Sequence, residues 1–124
     1  MKPIIVPENA DAIGPYSVAV EANGFLFTAG QMPVGQNGRI VPGGIEQQTR
    51  QIFVNVRNIL ATRRLDLRSV VKTTVFVADL NEYAALNAIY AEEMGGHKPA
   101  RSTVQVARLP MDARVEIEFV AICG

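Results

Sequence analysis

Apolar and polar positions follow two different periods along this chain, and the switches between them divide it into elements. From Tyr16 to Gly30 the run YSVAVEANGFLFTAG alternates on either side of Asn23-Gly24. That dipeptide is the strongest short-range hairpin signal, and a two-residue type I′ turn there pairs Ala22 with Phe25, Val20 with Phe27 and Val18 with Ala29. Residues 31 to 44, QMPVGQNGRIVPGG, read mainly as loop, with a second Asn-Gly at Asn37-Gly38 able to close a small hairpin. From Ile45 the period becomes helical. Ile45, Thr49, Ile52, Phe53, Val56, Ile59 and Leu60 fall three or four apart, while Glu46, Gln47, Arg50, Asn55 and Arg57 lie off that stripe, which predicts a helix ending near Arg63 or Arg64. Val70 to Asp79, VVKTTVFVAD, is β-branched and apolar enough for a central strand. Asp79 and Glu82 have capping-box spacing and open a second helix through about Met94, with Tyr83, Leu86, Ile89 and Tyr90 on one face and Gly95-Gly96 as its stop.

The last stretch, Pro99 to Ala121, reads PARSTVQVARLPMDARVEIEFVA and predicts two strands joined by a Leu-Pro turn as a hairpin. Val115, Ile117 and Phe119 alternate with Glu116 and Glu118, so both acids project from the face opposite the apolar trio. Acids on a greasy strand need partners. If Val104 and Val106 join the Val115 face in the core, Arg101, Thr103 and Gln105 share a face with the glutamates. With Gln105 opposite Glu116, Arg101 lies about 13 Å further along. Arg101 and Glu116 of one chain then do not meet, and a site joining them across two subunits becomes the expectation.

These elements make a two-layer α+β domain, a mixed sheet with two helices on one face. The other face is left uncovered. It carries either Val71, Thr73, Val75 and Val77 or Val70, Lys72, Thr74, Phe76 and Ala78, together with Val120 and Ile122, and so apolar a surface predicts an oligomer that buries it.

Length makes this one domain over residues 1 to 124, large enough for a proper core. The single cysteine, Cys123, cannot form an internal disulfide, and the chain reads as intracellular. MKPIIVPENA lacks an h-region and no stretch reaches membrane-spanning length, so a soluble, cytoplasmic protein is expected. Twelve basic and twelve acidic residues cancel, which disfavours nucleic acid as a partner. Arg63, Arg64, Arg68 and Lys72 are the local exception, and three of them sit where cations complement a helix C-terminus. Neither a dinucleotide fingerprint nor a P-loop occurs, no segment repeats, and His and Cys do not cluster as metal ligands.

The string PARSTVQVARLP followed by VEIEFVA resembles the C-terminal signature of the RidA family, the reactive intermediate deaminases also called the YjgF family. IGPYS, TAGQMPV and VVKTTVFVADLNEYAALNAIY extend the resemblance over essentially the whole chain. It implies a chorismate mutase-like fold assembled as a homotrimer, whose sheets form a central barrel and whose active sites lie between subunits. The activity implied is cofactor-independent hydrolysis of small imines and their enamine tautomers, such as 2-aminoacrylate with 2-iminopropanoate and 2-iminobutanoate, to ammonia and 2-oxo acids. The resemblance carries the family's carboxylate-binding arginine onto Arg101 and its water-positioning glutamate onto Glu116. Pocket positions fall at Tyr16, Gly30 and Asn87. Two further positions depart from the best-studied branch, with Ala29 in place of a serine and Thr103 in place of a cysteine, and both bear on substrate preference.

Each residue also has a plainer reading. Arg101 presents a planar fork suited to a carboxylate, or pairs with an acid of its own sheet. Glu116 orients and deprotonates water beside an imine, or is a buried partner for Arg101 or a lysine. Tyr16 walls a pocket or only packs beside Pro15. Gly30 admits a ligand to its N–H or closes a strand, and Asn87 contacts ligand or faces solvent. Glu118 reads as a structural or interface acid, and His97 as a surface residue. Against the imine deaminase stand a same-fold enzyme for a larger amino-acrylate or aminomuconate-type substrate, a non-catalytic trimer that binds 2-oxo acids, and an endoribonuclease.

Overall fold

The computed structural model describes residues 2–3 and 14–123. The N-terminal decapeptide read for targeting lies, apart from Lys2 and Pro3, outside them. The strands are β1 (Lys2–Pro3), β2 (Ala19–Ala22), β3 (Phe25–Thr28), β4 (Val70–Val77), β5 (Ala100–Gln105) and β6 (Val115–Ile122), with helices α1 (Ile45–Ala61) and α2 (Tyr83–Met94). They form one mixed sheet in the order β1-β2-β3-β6-β4-β5, in which only β4 and β5 run parallel.

The first hairpin has the expected register. Ala22 pairs with Phe25 and Val20 with Phe27, the Ala29 N–H donates to the Val18 carbonyl, and Asn23 and Gly24 turn the chain at φ of 51° and 79°. The loop after it does close a small hairpin at Asn37-Gly38, through a Val34 to Ile40 bridge. Every residue of the α1 stripe is buried. Gln48 joins it, and its side-chain oxygen accepts from the Arg114 N–H at 2.8 Å, which satisfies a buried amide. The core forms where α1 and α2 cover β4 and β6. Phe53 meets Tyr90 and Phe119 edge to face at 5.6 and 5.9 Å, and Val75, Val115, Ile117 and Ala121 are sealed beneath the helices.

The C-terminal hairpin is a correction. β5 and β6 do not pair with each other; β4 lies between them, parallel to β5 and antiparallel to β6. The most β-branched strand takes the centre, and α2 supplies the crossover that a parallel β4–β5 pair requires. The nine residues between β5 and β6 pass over the end of β4, stitched to it by Val106 N–H to the Val77 carbonyl and Ala78 N–H to the Arg114 carbonyl, both 3.0 Å. This changes which side chains share a face. Arg101 lies in the row of Thr73 and Phe119, and Thr103 in the row of Val75 and Ile117, so the polar set of β5 faces the helices. Val104, in the row of Phe76 and Glu116, is on the open face and 44 % exposed.

Of the two sets considered for the uncovered face, the one with Lys72, Thr74 and Phe76 lies there, and a bulge between Val70 and Lys72 buries Val70 while leaving Val71 exposed. Phe25, Phe27 and Ile122 extend the same face, each about two-fifths exposed or more. Two local expectations also change. Tyr83 leaves the buried stripe of α2 and is exposed. The capping box is incomplete: the Asp79 carboxylate accepts from the Asn81 N–H, while Glu82 pairs with Arg114.

Candidate functional site

Arg101 projects from the edge strand beneath α2. Its guanidinium carbon lies 4.7 Å from the centre of the Tyr90 ring and 5.5 Å from that of Tyr83. Its Nη2 donates to Asn87 Oδ1 at 2.7 Å and to the Tyr83 hydroxyl at 3.0 Å. Tyr83, Asn87 and Tyr90 are spaced by four and three residues, so one face of α2 holds all three above the arginine. The Tyr90 hydroxyl shares a 2.8 Å hydrogen bond with the buried Thr73 hydroxyl, which locks the ring under the guanidinium. Burial holds the Tyr90 phenol above its ordinary pKa. The Tyr83 phenol is held below it, by its hydrogen bond to Asn87 and then by Arg101. These partners of Arg101 are neutral, so the plain ion-pair reading does not describe it. Thr103 is two residues further along the same face, and its buried hydroxyl has no hydrogen-bond partner among the described residues. Beside Arg101, a depression of about 320 Å³ runs along Tyr90, Ala91, Met94, His97 and Pro99. His97 is half-buried rather than on the surface, with Nε2 2.7 Å from the Val70 carbonyl.

Glu116 is on the other side of the sheet. It stands half-buried on the open face, three rows along β4 from Arg101, and burial followed by the neighbouring Glu118 charge pushes its carboxyl above the usual glutamate range. Its immediate neighbour is Gly30. β3 stops at Thr28, whose hydroxyl takes over a ladder bond from the Phe119 N–H, and the chain rejoins β6 where Gln31 and Ile117 exchange backbone hydrogen bonds of 2.7 and 3.1 Å. Between these points the Gly30 backbone crosses so close to Glu116 that a Cβ there falls 2.6 Å from the carboxyl carbon. Ala29 is tied back to Val18 and accepts from the Gln31 side chain at 2.9 Å.

Two of the expected site residues therefore meet on the helix face, Arg101 and Asn87 with Thr103 nearby, and two on the open face, Glu116 and Gly30 with Ala29 preceding. Tyr16 is exposed on the segment leading into β2. Sequence reasoning missed Tyr83 and Tyr90 as partners of Arg101 and Gln31 as the buried residue that fixes Gly30. An aromatic, asparagine and aromatic at helical spacing was the available signal for the first two. The basic cluster is dispersed, since Arg63 pairs with Glu21 and Arg68 with Asp66. Among the described residues no helix is long and apolar enough to cross a membrane.

Two expectations follow for Glu116. In Gly30→Ala the new Cβ displaces the carboxylate toward water, so its titration, followed by carboxyl-carbon NMR, moves down toward an ordinary glutamate. Stability changes by no more than about 1 kcal/mol, because a flexible side chain yields rather than backbone. Glu118→Gln removes the like charge and also lowers the Glu116 midpoint, by less than the full upward shift because burial is its larger cause. A midpoint unmoved by Glu118→Gln would mean that burial alone sets it.

A family model described as Endoribonuclease L-PSP matches residues 7–123. A RutC family protein of Pyrococcus horikoshii is 48 % identical over 98 % of both chains. The 2-iminobutanoate/2-iminopropanoate deaminase of Escherichia coli is 44 % identical, again over 98 % of both. Among solved structures, Escherichia coli TdcF with bound serine superposes with a TM-score of 0.92 at 38 % identity over the full length of both chains. With the family model covering nearly all of the sequence and these relatives matching it end to end, the chain belongs to the Endoribonuclease L-PSP family, also called the YjgF/RidA/RutC family.

Proposed function

We propose that this protein is a cofactor-independent deaminase that hydrolyses small 2-imino acids and their enamine tautomers to 2-oxo acids and ammonia, at sites between the subunits of a homotrimer. The observation that carries this reading is the state of Arg101, a guanidinium buttressed by Tyr90 and hydrogen-bonded only to neutral groups, so its charge is available to an incoming carboxylate. The relative named as an imine deaminase and the neighbour that holds serine both point to a small carboxylate bearing nitrogen on its α-carbon.

Placement of the two groups on opposite faces supports the intersubunit part. Arg101 and Glu116 of one chain cannot grip one small molecule, whereas a neighbouring copy seated on the apolar open face brings its own Arg101 edge toward this chain's Glu116. There Arg101 holds the carboxylate, with Asn87 and Thr103 beside it. Glu116, with its carboxyl raised toward neutrality, takes a proton from water as the oxygen adds to the imine carbon. That proton passes to nitrogen, the carbinolamine collapses to the 2-oxo acid, and ammonia leaves. Gly30 offers its backbone beside Glu116, and Tyr16 and Ala29 line the approach.

The test is to generate 2-aminoacrylate in situ from serine with a dehydratase and to follow pyruvate formation with and without this protein. Faster loss of imine is expected. Saturable binding of pyruvate without acceleration would support a non-catalytic 2-oxo acid-binding protein instead, a reading that the serine-bound neighbour also fits. The family's description carries an endoribonuclease reading, but zero net charge and the pairing of Arg63 and Arg68 with acids leave little field to hold a polyanion.

A further inference from the structure

A guanidinium offers a carboxylate two edges with parallel N–H pairs, Nε with Nη2 and Nη1 with Nη2, and Nη2 belongs to both. In Arg101 that nitrogen is already used twice. Its two hydrogens account for the bonds to Asn87 at 2.7 Å and Tyr83 at 3.0 Å, which leaves neither edge free for a two-point grip. A carboxylate that binds through two nitrogens must displace one of these partners. Asn87 is the shorter contact and sits half-buried within α2. Tyr83 is the longer contact, is 43 % exposed, and occupies the first residue of α2 just after the turn Leu80–Glu82, where a ring can swing outward without disturbing the core.

We propose that Tyr83 is an internal competitor for the carboxylate edge of Arg101. Its hydroxyl caps Nη2 in the empty site and leaves when the substrate carboxylate binds, so it sets affinity for 2-imino and 2-oxo acids without touching the reacting carbon. Tyr90 and Asn87 hold the guanidinium in place during the exchange. The capping contact also discriminates by chemistry: a ligand must present two carboxylate oxygens to displace the phenol, and an amide or a neutral carbonyl cannot. This rests on Arg101 being the carboxylate anchor.

The test is Tyr83→Phe, which keeps the ring over Arg101 and removes only the hydroxyl. Pyruvate binding to the full-length protein is measured by calorimetry, beside wild type and Arg101→Ala. Tyr83→Phe is expected to bind pyruvate about threefold to tenfold more tightly, the scale of one partly exposed hydrogen bond to a charged group. In the imine assay KM falls by a similar factor with kcat unchanged. Binding weakened by Tyr83→Phe would mean that the hydroxyl contacts the ligand directly, and unchanged binding would mean that it does not compete; either result overturns the proposal. Arg101→Ala separates the two levels. If it binds pyruvate as wild type does, the anchor assignment fails, whereas loss of binding in Arg101→Ala with no change in Tyr83→Phe defeats only the competitor.

Discussion

Arg101→Lys should lose nearly as much deaminase activity as Arg101→Ala, with kcat/KM lower by about two to three orders of magnitude, although the positive charge is kept. The reason lies in the geometry rather than in the charge. The guanidinium is stacked 4.7 Å from the Tyr90 ring while one nitrogen serves both Asn87 and Tyr83, and a compact ammonium on a flexible stem cannot stack, serve those partners and present a planar edge together. Two charge-assisted hydrogen bonds at about 1.5–3 kcal/mol each give the expected size of the loss. Circular dichroism and thermal melting serve as controls. Arg101 is half-buried at the end of an edge strand, so both variants are expected to fold. A fully active Arg101→Ala would remove Arg101 from the site, and a fully active Arg101→Lys would show that charge suffices and the fork is dispensable.

The same residue shows why the chain was legible only in part. A 17-residue helix with a continuous apolar stripe and an Asn-Gly hairpin with matched alternation each have one reading, because burying the other face costs several side chains at once. β5 has no such asymmetry. In Arg-Ser-Thr-Val-Gln, one face carries Arg101, Thr103 and Gln105 and the other Ser102 and Val104, and neither is plainly a core face. The outcome is set elsewhere. β4 takes the centre and α2 must cross over to reach a parallel partner, which turns Arg101 toward the helix and Val104 outward. Hydrophobic pattern alone assigns the valine to the core. It does so wrongly here because α2 offers this edge polar and aromatic groups, Asn87 and Tyr83, in place of an apolar stripe.

The open face was legible in a different way. Glu116 and Glu118 stand opposite Val115, Ile117 and Phe119 as the alternation requires, and the apolar character of their surroundings was evident from Val120 and Ile122. Not visible in the sequence was the close approach of Gly30 to Glu116. It depends on β3 breaking at Thr28 and on a threonine hydroxyl replacing a ladder carbonyl, a substitution of hydrogen-bond partners with no hydrophobic period to reveal it.

Glu116→Gln is expected to cut the deamination rate by about 10²- to 10⁴-fold, the usual range for a positioned general base, while raising the melting temperature at pH 7. The signs are opposite because burial disfavours the ionised carboxylate. The folded chain holds the Glu116 proton to a higher pH than the unfolded chain does. Folding stability therefore falls as pH climbs above the unfolded glutamate value and is not regained at neutrality. Glutamine never ionises and escapes that cost, so the difference in melting temperature should close as pH drops below the unfolded value. If the two chains melt alike at pH 7, Glu116 has a compensating partner in the assembly. The variant also tests where its site lies. Glu116→Gln and Arg101→Ala chains, each inactive alone, are unfolded together in equal amounts and allowed to reassemble. If each site joins Arg101 of one subunit to Glu116 of the next around a closed ring, about a quarter of the sites regain both groups, and about a quarter of wild-type activity should return. A site built within one chain predicts no recovery, since every chain lacks one of the two. Reassembled oligomers that stay inactive would confine Arg101 and Glu116 to separate tasks, and recovered activity would join them in one cleft.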